Sequence, residues 1–216
     1  MNIVFDLDGT LSDPFPGISR SIIYALNRLA IPAPPVETLA AWIGPPLRHS
    51  FDAYFQSASL DADPDLAVSY YRERFAASGL YENRLYPDIQ PLLVELKTDN
   101  RLLLATSKPL VFAEQIIRNF ELDSYFKQLY GSKLDGSLTD KRELLEHLLE
   151  RESISPASCL MIGDRKFDIQ AANALGMAAL AVAWGYGSFE ELTAAGAATI
   201  CSTPAGLLTE LKRLGC

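Results

Sequence analysis

One short apolar run, Ile3-Val4-Phe5, stands apart from every other strand-like segment, because the residues from about Pro14 to Arg84 carry helical patterning. A lone strand does not persist inside a helical bundle. The strand at residues 2–6 therefore belongs to a sheet built by residues after Leu85, and the helical stretch is an insertion. From Leu85 onward the patterning gives helix 88–98, strand 101–105, helix 110–119, strand 127–130, helix 140–150, strand 159–162, helix 167–175 and strand 178–182. A last strand at 198–201 and a helix at 204–214 complete the order. Short apolar strands alternating with helices predict an α/β fold: a doubly wound, Rossmann-like parallel sheet with right-handed crossovers.

The expected domain division is a core of residues 1–13 and 85–216, with 14–84 as an all-α cap that leaves just after Asp8 and sits over the strand ends. Within it, Ile18, Ile22, Leu26 and Leu29 form one apolar helix stripe. Further helical stretches at 39–43, 47–55 and 66–77 are divided by Gly44-Pro45-Pro46 and by residues 61–64.

The formal net charge of -8 argues against a nucleic-acid polymer or an anionic membrane as partner. It also requires that any anionic substrate be drawn in by local cations or a metal. The apolar stretch from Met177 to Trp184 is far shorter than the ~20 residues of a membrane span. Cys159, Cys201 and Cys216 have neither close pairing nor metal-ligand spacing, and read as reduced thiols. With the first strand so near Met1 there is no room for a signal segment, and a cytoplasmic location is expected.

The strand ends carry the chemistry. Ile3-Val4-Phe5 stops at Asp6, with Asp8 two residues on and Gly9 to turn the backbone. A carboxylate at a strand end can attack phosphorus while its neighbour shuttles protons; the same pattern also serves as a plain polar turn. Leu102-Leu103-Leu104-Ala105 ends in Thr106-Ser107-Lys108-Pro109, hydroxyls suited to phosphate oxygens or to capping a helix. Lys141 opens a helix, where a cation is mildly unfavourable unless an anion lies near; alternatively it is a solvated surface charge. Leu160-Met161-Ile162 ends in Gly163-Asp164, with Asp168 one helical turn on, a set fit for a metal or for an N-cap.

Together, Asp6-Leu7-Asp8-Gly9-Thr10, Thr106, Lys141 and Gly163-Asp164 with Asp168 follow successive strands, in an order that resembles the haloacid dehalogenase superfamily and its phosphatases. Gly44-Pro45-Pro46-Leu47, Thr106-Ser107-Lys108-Pro109 and residues 131–136 are similar to the branch of phosphoglycolate phosphatases and bacterial cytosolic 5′-nucleotidases, and the insert resembles that branch's helical cap. The resemblance implies that Asp6 is the nucleophile and Asp8 the acid and base. Mg²⁺ would be held by Asp6, Asp164 and the Asp8 backbone carbonyl. Thr106, Ser107 and Lys141 would bind phosphate, and Asp168 would brace the metal's waters or Lys141. It also implies a small phosphorylated metabolite as partner. Asp88 and Asp99-Asn100 stand at turns, Asp88 where relatives often carry glycine.

Asp8 and Asp164 argue against dehalogenation. The expected substrate is a nucleoside 5′-monophosphate, with phosphoglycolate and then a β-phosphoglucomutase-like reaction as the alternatives. A phospho-receiver signalling domain is disfavoured by the helical interruption and by the acceptor lying on the first strand. Arg48 is the candidate cap contact to a remote group of the substrate, or else a surface arginine. Phe15, Trp42, Phe51, Tyr54 and Phe55 read either as a stacking surface for a base or as core. His147 reads as structural.

Overall fold

The computed structural model describes residues 1–216. The chain runs β1 (Asn2–Phe5), β2 (Ser12–Asp13), α1 (Phe15–Arg28), a 3₁₀ segment (Val36–Trp42), α2 (Leu47–Ser57), α3 (Pro64–Ala77) and β3 (Arg84–Leu85). Helices and strands then alternate: α4 (Ile89–Leu96), β4 (Arg101–Pro109), α5 (Leu110–Asn119), β5 (Gln128–Ser132), α6 (Lys141–Glu152), β6 (Cys159–Gly163), α7 (Lys166–Leu175), β7 (Ala178–Val182), α8 (Phe189–Ala194), β8 (Ile200–Cys201) and α9 (Pro204–Arg213). By internal packing the chain separates into two compact units, Met1–Asp13 with Leu85–Cys216, and Pro14–Arg84.

The first unit is built on a six-stranded sheet in the order β5-β4-β1-β6-β7-β8. Its strand pairs are parallel, with Val4 opposite Leu103 on one side and Met161 on the other. A four-residue strand can hold this central place because Ile3, Val4 and Phe5 are wholly buried. Each such side chain stabilises the fold by about 1.5–3 kcal/mol relative to exposure. Between β4 and β6 the winding of the sheet reverses, and the carboxyl ends of strands flanking such a switch point are where open α/β sheets place a ligand.

In the second unit, α1 buries Ile18, Ile22, Ala25 and Leu26, while α3 buries Ala67, Tyr71 and Phe75. Trp42 packs edge-on against Phe51 at 5.2 Å between ring centres, and Phe51 lies 5.9 Å from Phe55. Phe51 and Phe55 are buried and the Tyr54 hydroxyl donates to the Pro32 carbonyl, so these aromatics form the unit's own core.

Several local expectations shift. β4 continues to Pro109, past the sequence-based end at residue 105, because its pairing with β5 slips between Thr106 and Pro109. The short helix α8, capped by Ser188, has no counterpart in the sequence-based order. Asp88 takes a left-handed backbone with φ 64°, the conformation that glycine adopts freely. His147 packs edge-on to Tyr130, and the three cysteines are unpaired, two of them buried. No helix is long and apolar enough to cross a membrane.

Candidate active site

β1 delivers Asp6 at its end, and the next residues fold into a tight turn in which Leu11 N–H donates to the Leu7 carbonyl at 2.9 Å and Gly9 N–H to the Ser12 carbonyl at 2.8 Å. Gly9 has φ 85°, and a Cβ there would collide with the Asp164 carboxylate. The position therefore demands glycine for both conformation and space. Asp8 leaves this turn partly buried and pairs with Lys108.

The slipped register of β4 explains how Lys108 arrives there. Thr106 stays opposite Gly131 while the next strand partner is Pro109, so Ser107 and Lys108 bulge out of the ladder. Ser132 Oγ donates to the Ser107 carbonyl at 2.8 Å and steadies the bulge. Thr106 is buried, and its hydroxyl accepts the Lys108 N–H at 3.3 Å. Pro109 caps α5 without a side-chain bond, so the hydroxyls of this stretch do not serve as the helix cap.

Lys141 opens α6 beneath the same strand ends, and its side chain is only 4% exposed, which overturns the surface-charge alternative. Its Nζ donates to the Ala105 carbonyl at 2.9 Å, and lies 2.9 Å from Asp6 Oδ1 and 2.8 Å from Asp168 Oδ1. These carboxylates are the anion that the lysine's place at a helix start calls for. Burial works against the ammonium, but Asp168 and Asp6 outweigh it and hold Lys141 above its ordinary range.

Asp164 ends β6 fully buried. Its Oδ1 accepts from the Thr10 hydroxyl at 3.2 Å and its Oδ2 from the Tyr186 N–H at 2.7 Å. Burial, together with the charges of Asp168 and Asp6, pushes its carboxyl well above the usual range. Asp168 is pushed up to about 6 by burial, against the pull of Lys141. Its Oδ2 accepts the Arg165 N–H at 3.1 Å, closing the first turn of α7. Burial likewise raises Asp8, with Lys108 opposing.

Carboxylate oxygens of Asp6, Asp164 and Asp168 lie within 4.8 Å of one another. Asp8 Oδ1 is buried without a partner, and Asp6 Oδ1 and Asp168 Oδ1 are buried with Lys141 as the one cation they share. Crowded hard oxygens with spare lone pairs, and too few cations to neutralise them, suit a divalent metal ion. The fold thus brings Asp6, Asp8, Thr106, Ser107, Lys141, Asp164 and Asp168 to the ends of β1, β4 and β6 and the adjoining helix starts. Arg48 lies in the helical unit on α2, exposed, with Nε and Nη2 bonded to Asp65 at 2.8 and 3.1 Å.

Lys108 and the segment Trp184–Ser188 are absent from the sequence-based site. The segment follows β7 and reaches Thr10 through the Trp184 indole at 3.0 Å and Asp164 through a backbone N–H. Its sequence signal is Gly185-Tyr186-Gly187 directly after an apolar strand.

The family profile described as haloacid dehalogenase-like hydrolase matches residues 3–182. The chain is 47% identical to a 5′-nucleotidase of Pseudomonas aeruginosa, over 98% of this chain and 95% of that protein. It is 34% identical to the tyrosine-protein kinase PtkA of Mycobacterium tuberculosis, over 97% of this chain and 70% of that one. It is 29% identical to a phosphoglycolate phosphatase of Aliivibrio fischeri, over 88% and 87% respectively. The crystal structure of a predicted phosphatase from Clostridium acetobutylicum superposes with a TM-score of 0.92 at 38% identity, covering 98% of both chains. With its strand-end carboxylates in place and matches that run nearly its full length, the chain belongs to the haloacid dehalogenase-like hydrolases, among their phosphatases.

Proposed function

We propose that this phosphatase hydrolyses nucleoside 5′-monophosphates with Mg²⁺, through a phospho-aspartate on Asp6. The observation that carries the mechanism is the placing of Asp6 and Asp8 together after the central strand, with Asp164 and Asp168 crowded against Asp6. The preference for nucleotides rests on the 47% identity to a 5′-nucleotidase, against 29% to a phosphoglycolate phosphatase.

Asp6 attacks phosphorus as the bond to the leaving oxygen breaks. Asp8 donates a proton to that oxygen, a role that burial of its carboxyl favours and Lys108 opposes. The Asp8 carboxylate then takes a proton from the water that attacks phosphorus and frees Asp6. Thr106, Ser107 and Lys141 bind the non-reacting oxygens, where negative charge is spread in the transition state. Mg²⁺, when bound by Asp6, Asp164 and the Asp8 backbone carbonyl, supplies positive charge against the phosphoryl oxygens and the crowded carboxylates. Asp168 braces Lys141 or the metal's waters. The 14–84 unit is the cap that selects the substrate's remote end, with Arg48 its candidate contact.

Phosphate release is to be measured with Mg²⁺ and with EDTA on AMP, UMP, phosphoglycolate, glucose 1-phosphate and an aryl phosphate. Metal-dependent release led by the nucleotides is expected, and release led by phosphoglycolate would transfer the substrate assignment to that acid. Asp6→Asn should lose at least about 10⁴-fold in kcat while keeping its circular-dichroism spectrum. Retained turnover in that variant would remove Asp6 as nucleophile.

A further inference from the structure

The strap Trp184–Ser188 holds the site by features that carry no chemistry of their own. The Trp184 Nε1 donates to the Thr10 carbonyl at 3.0 Å. Gly185 presses on the Asp164 carboxylate and the Gly9 carbonyl, and Gly187 on the Asp164 carbonyl, so closely that a Cβ at either position would collide. Between them, the Tyr186 N–H donates to Asp164 Oδ2 at 2.7 Å, and the Tyr186 hydroxyl donates to Asp13 Oδ1 at 2.6 Å.

We infer that Tyr186 is a positioning residue for Asp164: its hydroxyl, anchored on Asp13, fixes the strap so that its own N–H seats Asp164 Oδ2 for the divalent cation. Two glycines flank it, and a strap of that composition has little stiffness of its own. Its order comes from its anchors, and the bond from phenol to carboxylate, being charge-assisted, is a strong one among them. Asp13 is the last residue of the catalytic unit before the chain leaves it. One side chain thus refers the seat of the carboxylate after β6 to the point where the chain leaves this unit. The inference rests on the metal reading proposed above.

Mn²⁺ serves as the probe, with the free ion followed by electron paramagnetic resonance in the absence of substrate. Wild type is expected to bind one ion, and Asp164→Asn to lose it. Tyr186→Phe and Asp13→Ala should each weaken binding about tenfold, a charge-assisted hydrogen bond being lost in both. The double variant should be no weaker than either single one. Asp13→Asn keeps an oxygen acceptor for the phenol and should bind within about twofold of wild type. Wild-type affinity in Tyr186→Phe, or additive losses in the double variant, would overturn the positioning role and leave the metal site standing. A wild type that binds no Mn²⁺ removes the metal site, and this inference with it.

Discussion

Lys141 and Arg48 each meet carboxylates, in opposite surroundings. In the catalytic unit the Lys141 side chain is 4% exposed, between Asp6 and Asp168. In the helical unit Arg48 is 52% exposed and its partner Asp65 is 65% exposed. Water screens the second pair and holds its charges almost equally well when they part, so such pairs add little to stability. The first pair has no such refuge, and removing one member strands the others. The Lys141 charge is held in place by burial, whereas that of Arg48 is open to solvent and free to exchange partners.

Substituting Lys141 tests the buried half of this contrast and carries the largest effect. Lys141→Met should cost about 3–5 kcal/mol of stability in metal-free protein, read by urea denaturation, because Asp6 and Asp168 are left facing each other without a cation. The accompanying loss in kcat should reach about a thousandfold. A variant as stable as wild type would mean that the carboxylates take up protons at no cost, and the contrast would fail.

The helical unit has one partly buried pair that grades between these extremes. Arg74 makes a two-pronged contact with Glu82 at 2.9 and 3.0 Å, and Arg20 adds a third bond. Arg74, with Arg20 in support, holds the Glu82 carboxyl below its ordinary value. A depressed carboxyl contributes stability that is full above its unfolded pKa, about 4.5, and is lost as pH falls through the folded value. Glu82→Gln should therefore cost below about 1 kcal/mol at pH 7, after screening, and progressively less as pH falls below the unfolded value. Asp168, raised to about 6, has the opposite slope: its contribution is complete below the unfolded value and is lost as pH rises through about 6. Denaturation curves across pH 3–8 in EDTA separate the two signs.

The smallest effect is expected at Arg48. Arg48→Ala should leave the thermal midpoint unchanged, since the Asp65 pair is open to solvent. If Arg48 exchanges Asp65 for substrate, KM rises about tenfold with kcat kept. An unchanged KM would return Arg48 to the surface-arginine alternative.

The same division governs what could be read before the structure. The sheet was legible because buried parallel strands write themselves as apolar runs, and Asp6, Asp8, Thr106, Lys141, Asp164 and Asp168 stood out because polar side chains that close an apolar strand or open the next helix are visible in the sequence and follow the family's motif order. Lys108 was hidden by a register slip that no local pattern marks. The strap was hidden because it contributes a backbone N–H and the absence of two Cβ atoms, neither of which has a sequence signature as plain as a carboxylate. In the insert, Trp42, Phe51 and Phe55 have a spacing that suits a base platform and a helical core equally, and only packing distinguishes them.

The register of β1 also dictates when the site can exist during synthesis. The strand bearing Asp6 is made before both of its neighbours in the sheet, which come roughly 100 and 160 positions later. The intervening helices rely on local contacts and can form while β1 still waits unpaired. Only when β6 emerges can the central strand be flanked on both sides, and Asp164 arrives in the same stroke. A fragment ending before β6 therefore leaves one edge of the central apolar strand unpaired, and an unpaired edge of that kind invites aggregation.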